Sequence, residues 1–278
     1  MSMRFLVPRD DTNLVGDSWS GDGPTVLLLH AGVSDRRSWE LVAPEVSKHA
    51  TVVSYDRRGF GESAPGVNSF THLDDLCALL DHLQISKAWL VGSSAGGKLA
   101  LDAAVSIPER VAGLVLLSPA VSGAPSPAIE LVDPELLRID ERIVQADELG
   151  DLDEVNRLEI QLWLDGPRER SGRVMGAPRE LALDMNRIAL ANGISENSDQ
   201  LVNAWSRLTE VAVPTTVACG ALDANHILLR SEELCKRIPG SKCLVLDGMA
   251  HLPYLEDPLA VAELVIGAIS DRSSDTSM

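Results

Sequence analysis

Residues 88–97 of the chain read AWLVGSSAGG, and this stretch decides the fold. Its first four residues are apolar, as in a strand that is buried on both faces of a parallel sheet. The small residues that follow form the pattern G-x-S-x-G over residues 92–96, and a helical pattern then runs over residues 95–106. A buried strand that turns abruptly into a helix predicts one strand–helix unit of a parallel α/β sheet.

The same alternation extends outward on both sides of this stretch. Further buried strands are predicted at residues 25–30, 51–55 and 111–117, and two more strands at residues 215–219 and 242–246. Helices are predicted at residues 39–46, 73–83 and 231–237 and from residue 258, and two alternating segments at residues 3–7 and 13–19 open the chain. This rhythm predicts an α/β fold with a doubly wound, mostly parallel sheet.

The rhythm breaks between residues 121 and 213, where only polar helical patterns occur, at residues 154–163 and 179–191 for example. We therefore predict a core domain made of residues 1–120 and 214–278, with residues 121–213 inserted as a helical cap. Large apolar side chains of the insert are expected to pack within the cap rather than line a pocket. These side chains are Trp163, Met175, Met185 and Trp205.

Composition excludes several classes of partner. The net charge of −17 repels nucleic acid and disfavours anionic membrane surfaces. Cys77, Cys219, Cys235 and Cys243 have no C-x-x-C spacing, so metal and redox roles are not expected, and Cys219 and Cys243 are expected to be packed thiols. The first residues contain no apolar run of signal-peptide length, so we expect a cytoplasmic location. Monomer and homodimer both remain open.

Ser94 lies at the centre of the G-x-S-x-G pattern, in the strand–turn–helix setting of a nucleophile elbow. Such an elbow strains the backbone of the serine and lifts its hydroxyl above the sheet, and glycines at positions 92 and 96 leave the turn room. The N-terminus of the following helix presents free N–H groups. Ser94 is therefore the predicted nucleophile, and the Ala95 N–H is a predicted oxyanion donor.

A nucleophilic serine needs a base and an acid that orients it. His251 follows the last predicted strand and Asp223 follows the strand before it, which gives the chain order Ser, Asp, His of the α/β fold. Asp247 is an alternative acid that a turn role would explain, and His226 lies close to Asp223. Surface roles are expected for His49, His72 and His82.

The loop at residues 30–34 follows the first buried parallel strand and is expected to supply the second oxyanion donor. The candidates are the N–H groups of Gly32 and Val33, while His30 is expected to support the shape of this loop. Residues 56–63, DRRGFGES, predict a hydrogen-bonded turn with a structural role. No metal or cofactor site is predicted.

Taken together, these segments resemble the α/β-hydrolase superfamily over nearly the whole chain. The matching segments are LLLHAG at 27–32, YDRRGFGES at 55–63, VGSSAGG at 91–97, Asp223, and GMAHLPYLEDP at 248–258. The chain is most similar to 3-oxoadipate enol-lactonase-like enzymes and small bacterial carboxylesterases. The resemblance implies an acyl-enzyme on Ser94, formed and hydrolysed with His251 as base. A serine at position 94 argues against the dehalogenases and epoxide hydrolases of this fold, which carry aspartate there.

Three functions follow from this resemblance. The first is hydrolysis of a small carboxylic ester or lactone by a serine hydrolase. The second is hydrolysis of a carbon–carbon bond in a dienoate ring-fission product, which predicts basic residues near the substrate carboxylate. The insert offers Arg138, Arg142, Arg157, Arg179 and Arg187 for that role. The third is a non-catalytic ligand receptor that keeps the triad.

Overall fold

One sheet of eight strands forms the centre of the molecule in a computed structural model that describes residues 1–193 and 202–270. The strands are β1 (Met3–Pro8), β2 (Asn13–Trp19), β3 (Thr25–Leu29), β4 (Thr51–Tyr55), β5 (Ala88–Ser93), β6 (Val111–Leu117), β7 (Thr215–Gly220) and β8 (Lys242–Leu246). Their order across the sheet is β1-β2-β4-β3-β5-β6-β7-β8. β2 runs antiparallel to β1 and β4, and the other pairings are parallel. The predicted doubly wound, mostly parallel sheet is confirmed.

Helices cover both faces of this sheet. They are α1 (Ala43–Val46), α2 (His72–His82), α3 (Ala95–Ser106), α4 (Pro134–Glu148), α5 (Leu152–Ile160), α6 (Ala177–Asn192), α7 (Asn225–Arg237), α8 (Pro253–Glu256) and α9 (Pro258–Ser270). Helices α2, α3 and α7 bury side chains in an apolar core on one face, and α1 and α9 do so on the other. Within residues 1–193 and 202–270 we find no helix long and apolar enough to span a bilayer.

Close approach of α3 to the sheet depends on its first glycine. A Cβ added to Gly96 would lie 2.2 Å from the carbonyl oxygen of Leu29 at the end of β3. Any side chain at this position would therefore push α3 away from the strands. The glycine places the start of α3 directly beside the loop that follows β3.

The segment between β6 and β7 is helical, and no strand occurs in its described residues, 121–193 and 202–213. Helix α5 continues into a π-helical turn, Gln161–Asp165, and α4 was not predicted from the sequence. A 3₁₀ helix at Ala204–Glu210 buries Ala204 and Leu208 in the same core as α3. Residues from 204 onward thus pack with the core, and the division of the chain at residues 121 and 213 stays a prediction.

Two local expectations are wrong. Instead of one helix over residues 39–46, the chain forms a 3₁₀ turn, Arg36–Trp39, and then the short helix α1, which Pro44 opens. His72 was expected at the surface, but only 9% of it is exposed. It is the first residue of α2, and its ring lies 5.3 Å from that of Phe70.

The expectation that Cys243 is a packed thiol is also wrong, because Cys243 forms a disulfide with Cys235. Cys235 lies on α7 and Cys243 on the edge strand β8, and the turn between them brings their Cα atoms within 6.1 Å. A contact across a helix–turn–strand unit has no signature in the cysteine spacing. Cys219 is a buried free thiol, as expected, and burial raises its pKa to about 12.

Candidate active site

The turn between β5 and α3 has the geometry of a nucleophile elbow. Ser94 has φ +50° and ψ −113°, a region that residues with a side chain rarely adopt. A Cβ on Gly92 would lie 2.4 Å from the carbonyl oxygen of Gly96, so this glycine is required for the turn to close. The Ser94 N–H donates to Leu117 O (3.0 Å), and its carbonyl accepts from the Ala120 N–H (3.0 Å). Strand β6 and the residues that follow it therefore hold the elbow in its strained conformation.

The loop after β3 meets the elbow at the first residue of α3. A Cβ added to Gly32 would lie 3.9 Å from the Cβ of Ala95. As the first helical residue, Ala95 has an N–H that no carbonyl of α3 can accept. The structure thus brings together Gly32 and Ala95, two of the predicted oxyanion residues, and Val33 follows them half-buried.

His30 holds this loop in place through hydrogen bonds of both its ring nitrogens. Its Nδ1–H donates to Ala31 O (2.7 Å), and its Nε2 accepts from the Arg57 N–H (3.0 Å). Complete burial lowers the pKa of His30 well below its usual value of 6.5, because the charged imidazolium would lose its hydration. A neutral ring with both nitrogens engaged cannot serve as the base, in agreement with the supporting role predicted for His30.

His251 and Asp223 form a buried pair at the same edge of the sheet. His251 Nδ1 lies 2.8 Å from Asp223 Oδ2, and the other carboxylate oxygen of Asp223 accepts from the Ala224 N–H at 2.7 Å. Burial alone would raise the pKa of Asp223, but the charge and hydrogen bond of His251 and the hydroxyl of Ser118 hold it below its usual value. The alternative acid, Asp247, is exposed.

Trp163 is a site residue that the sequence did not reveal. Its ring lies 4.6 Å from the ring of His251, measured between centroids, and it comes from the π-helical turn of the insert. The other large apolar residues of the insert lie elsewhere. Met175 is 73% exposed, Met185 is buried against the core, and Trp205 packs under Arg237.

The arginines proposed to bind a substrate carboxylate are all occupied within the insert. Each forms an ion pair with a carboxylate of the insert itself. The pairs are Arg138–Glu135, Arg142–Glu154, Arg157–Glu154, Arg179–Asp165 and Arg187–Asp153. Residues 1–193 and 202–270 also contain no cluster of three or more His, Cys, Asp or Glu side chains that could hold a metal ion.

The turn at residues 56–63 has the contacts of a structural element. Asp56 is fully buried and accepts hydrogen bonds from the backbone N–H groups of Arg36 and Glu62, both at 2.8 Å. Gly61 has φ +51°, and a Cβ there would collide with the Asp56 carboxylate at 2.3 Å. Burial raises the pKa of Asp56 to about 6. These contacts fix the turn internally, and Arg57 joins it to the loop of His30 through the carbonyl oxygens of His30 and Ala31.

Comparison with known proteins supports the same assignment of fold. A model of the alpha/beta hydrolase family matches residues 26–264. A Bacillus subtilis protein provisionally named 2-succinyl-6-hydroxy-2,4-cyclohexadiene-1-carboxylate synthase is 26% identical over 264 residues, which cover 90% of this chain and 92% of its own. The 2-hydroxymuconate semialdehyde hydrolase of Pseudomonas sp. CF600 is 38% identical over 121 residues, only 41% of this chain and 42% of its own. The enol-lactonase of Burkholderia xenovorans LB400 has a similar structure, with a TM-score of 0.75 and 21% identity over 96% of this chain and 100% of that one.

Proposed function

The chain is a hydrolase of the alpha/beta hydrolase family, and we propose that it cleaves a small carboxylic ester or lactone through an acyl-enzyme on Ser94. One observation carries this proposal. His251 Nδ1 and Asp223 Oδ2 form a buried hydrogen bond, 2.8 Å long, beyond the carboxyl ends of the parallel strands, where the strained elbow also presents Ser94. A serine, a histidine and a buried carboxylate at one edge of a sheet are the groups that acyl transfer requires.

In the proposed first half-reaction, the Ser94 hydroxyl oxygen attacks the carbonyl carbon of the ester, and His251 Nε2 accepts the hydroxyl proton. Asp223 keeps the proton on Nδ1 and stabilises the imidazolium that forms. The negative charge on the carbonyl oxygen is stabilised by the Ala95 N–H and by the N–H of Gly32 or Val33. Collapse of the tetrahedral intermediate breaks the ester bond, and His251 gives its proton to the departing alkoxide.

In the second half-reaction, His251 takes a proton from water, and the resulting hydroxide attacks the acyl carbon. Ser94 then leaves with the proton that His251 returns, so the net products are a carboxylic acid and an alcohol. With a lactone, both groups remain in one hydroxy acid. Every proton is carried by His251, so this route requires no cofactor.

Carbon–carbon bond hydrolysis is the second candidate, because one relative described above is named 2-hydroxymuconate semialdehyde hydrolase. That reaction predicts a cation for the substrate carboxylate. The five insert arginines considered for this role are engaged in ion pairs within the insert. Their ion-pair partners lie in the insert and not in the loops of Ser94, Asp223 or His251, and this placement favours the ester or lactone reaction over the second candidate.

A panel of nitrophenyl esters with increasing acyl length tests the proposal on the wild type, Ser94→Ala and Ser93→Ala. The adjacent Ser93 is a matched control, because its hydroxyl is fully buried beneath the elbow. We expect turnover of the short esters by the wild type and Ser93→Ala, and a loss of about 10⁶-fold in kcat for Ser94→Ala. Turnover by Ser94→Ala at the wild-type rate would refute the assignment of Ser94 as the nucleophile.

The same panel separates the alternatives when an enol-lactone and a dienoate ring-fission product are added to it. If product is released only from the ring-fission compound, the proposed ester or lactone hydrolysis is wrong and carbon–carbon bond hydrolysis takes its place. Tight binding of these compounds without turnover of any would favour the ligand receptor.

A further inference from the structure

A segment of the insert, residues 166–173, contacts the loops of both members of the buried acid–base pair. Its backbone approaches the acid loop closely, since a Cβ added to Gly166 would lie 2.5 Å from the carbonyl oxygen of Leu222. Gly166 also has φ +98°, so a glycine is required for both conformation and space. The segment presents Arg168 to the loop of Asp223 and Arg173 to the loop of His251.

Arg168 fixes the acid loop at its backbone. Its Nη2 donates to Asp223 O at 2.7 Å, and its Nη1 donates to the Asn225 side-chain oxygen at 2.9 Å. The same guanidinium pairs with Asp133 at 2.5 Å, and the other oxygen of that buried carboxylate accepts from the Asn225 N–H at 2.8 Å. Arg168 and Asp133, both from the insert, therefore hold the backbone on either side of Ala224, which links Asp223 to α7.

Arg173 fixes the base loop in a similar way. Its Nη1 donates to Gly248 O at 3.0 Å, and its Nη2 pairs at 2.5 Å with Glu256, whose Oε1 accepts from the Ala250 N–H at 2.7 Å. Arg173 also donates to Leu164 O (2.9 Å). It thus joins the residues immediately before His251 to the turn that carries Trp163.

We propose that Arg168 and Arg173 are positioning residues, which set the distance between Asp223 and His251 from the insert. This inference rests on the proposed function only where it concerns the effect of the two arginines on the rate of ester or lactone hydrolysis. A guanidinium suits this role because it is planar and offers several donors in fixed directions, so it can reach a carbonyl and a carboxylate at once. A lysine at either position offers one flexible ammonium and cannot keep this set of contacts.

The variants Arg168→Ala, Arg168→Lys and Arg173→Ala test this proposal. We expect each to lower kcat on a short ester by about 10²-fold, the scale of a displacement near 1 Å, while KM stays close to the wild-type value. Added guanidinium ions restore part of the kcat of Arg168→Ala. Arg187→Ala is the matched control, because Arg187 is an exposed arginine of the insert that forms its ion pair with Asp153 of α5, at 3.7 Å, and not with the loop of Asp223 or His251.

A second readout does not depend on turnover. In the wild type, we expect the proton between His251 Nδ1 and Asp223 to give a far-downfield NMR resonance. This resonance should shift upfield or vanish in Arg168→Ala and remain in Arg187→Ala. A raised KM with unchanged kcat would overturn the proposal, because the arginines would then bind substrate. Loss of activity that only parallels a lowered melting temperature, with the resonance unchanged and no rescue, would also overturn it.

Failure of the proposed function gives a different result. If no ester or lactone is turned over, the resonance in the Arg168 variants still reports whether the insert positions the acid–base pair. An unchanged resonance then refutes positioning, and a lost resonance supports it.

Discussion

Asp223 and Asp247 are the two acids that the sequence offers for His251, and the structure separates them. Asp223 is 1% exposed and bonded to His251, whereas Asp247 is exposed at the end of β8. We expect Asp223→Asn to lower kcat by about 10⁴-fold, because the amide cannot stabilise the imidazolium and favours the wrong tautomer. Asp247→Asn should keep wild-type kcat in the same ester assay. Equal losses in both variants would argue against Asp223 as the acid.

His30 makes stability depend on pH in a predictable direction. Burial lowers its pKa in the folded state, so below about pH 6.5 the unfolded chain takes up a proton that the folded chain does not. The contribution of His30 is complete above that pH and is lost as the pH falls toward its folded pKa. At pH values well below about 6.5, we expect the free energy of unfolding to fall with decreasing pH by about 1.4 kcal/mol per pH unit more in the wild type than in His30→Asn.

Urea unfolding at several values between about pH 5 and pH 7 measures this slope. His82→Asn provides the control, because His82 is exposed at the end of α2, and its removal should leave the slope unchanged. The prediction fails if His30→Asn keeps the wild-type slope.

At the scale of single elements, two helical glycines differ sharply in their surroundings. A Cβ on Gly96 of α3 would lie 2.2 Å from Leu29 O, while Gly267 of α9 is exposed and has nothing within 4 Å. Gly96→Ala should therefore destabilise the protein by about 2–3 kcal/mol or more as α3 shifts. Gly267→Ala should be neutral or stabilise it by about 0.5–1 kcal/mol. Urea unfolding of both variants checks the contrast, and similar values for the two would contradict it.

The sequence predicts elements best where the local pattern and the tertiary environment agree. The bounds of α3 and β6 match those read from the sequence, because each combines a strong period with a clear start. β8 is correctly placed, but its apolar residues suggest burial, and the position of β8 at the sheet edge leaves Leu244 and Val245 exposed. This exposure depends on the order of the strands in the sheet, and a local sequence pattern does not reveal that order.

The residues of the candidate site also fall into two groups, those that local sequence patterns predict and those that depend on tertiary structure. Ser94, Asp223 and His251 could be chosen because each follows a predicted strand, and parallel strands end at one edge. Trp163 could not, because the π-helical turn at Gln161–Asp165 changes the face on which its side chain emerges. The contacts of Arg168 with Asp223 and Asn225 join residues more than fifty positions apart, and no local pattern predicts them.

At the scale of the whole molecule, the disulfide between Cys235 and Cys243 ties α7 to the edge of the sheet. Its short loop should stabilise the fold by about 2–3 kcal/mol relative to the reduced chain. We expect dithiothreitol to lower the melting temperature of the wild type and to have no effect on the Cys235→Ser, Cys243→Ser double variant. If dithiothreitol leaves the melting temperature of the wild type unchanged, the disulfide does not stabilise the protein.

The 166–173 segment has a consequence for how this protein could exchange parts with its relatives. The insert leaves the core after β6 and returns before β7, so recombination could replace it without cutting the sheet. Arg168 and Arg173 would leave with it, and the loops that carry Asp223 and His251 would lose their anchors. If the two arginines position the pair as proposed, a transplanted insert would misalign it unless the donor carried equivalent guanidinium groups. On the roles proposed here, exchange of the insert would change both the residues beside His251 and the alignment of the acid–base pair.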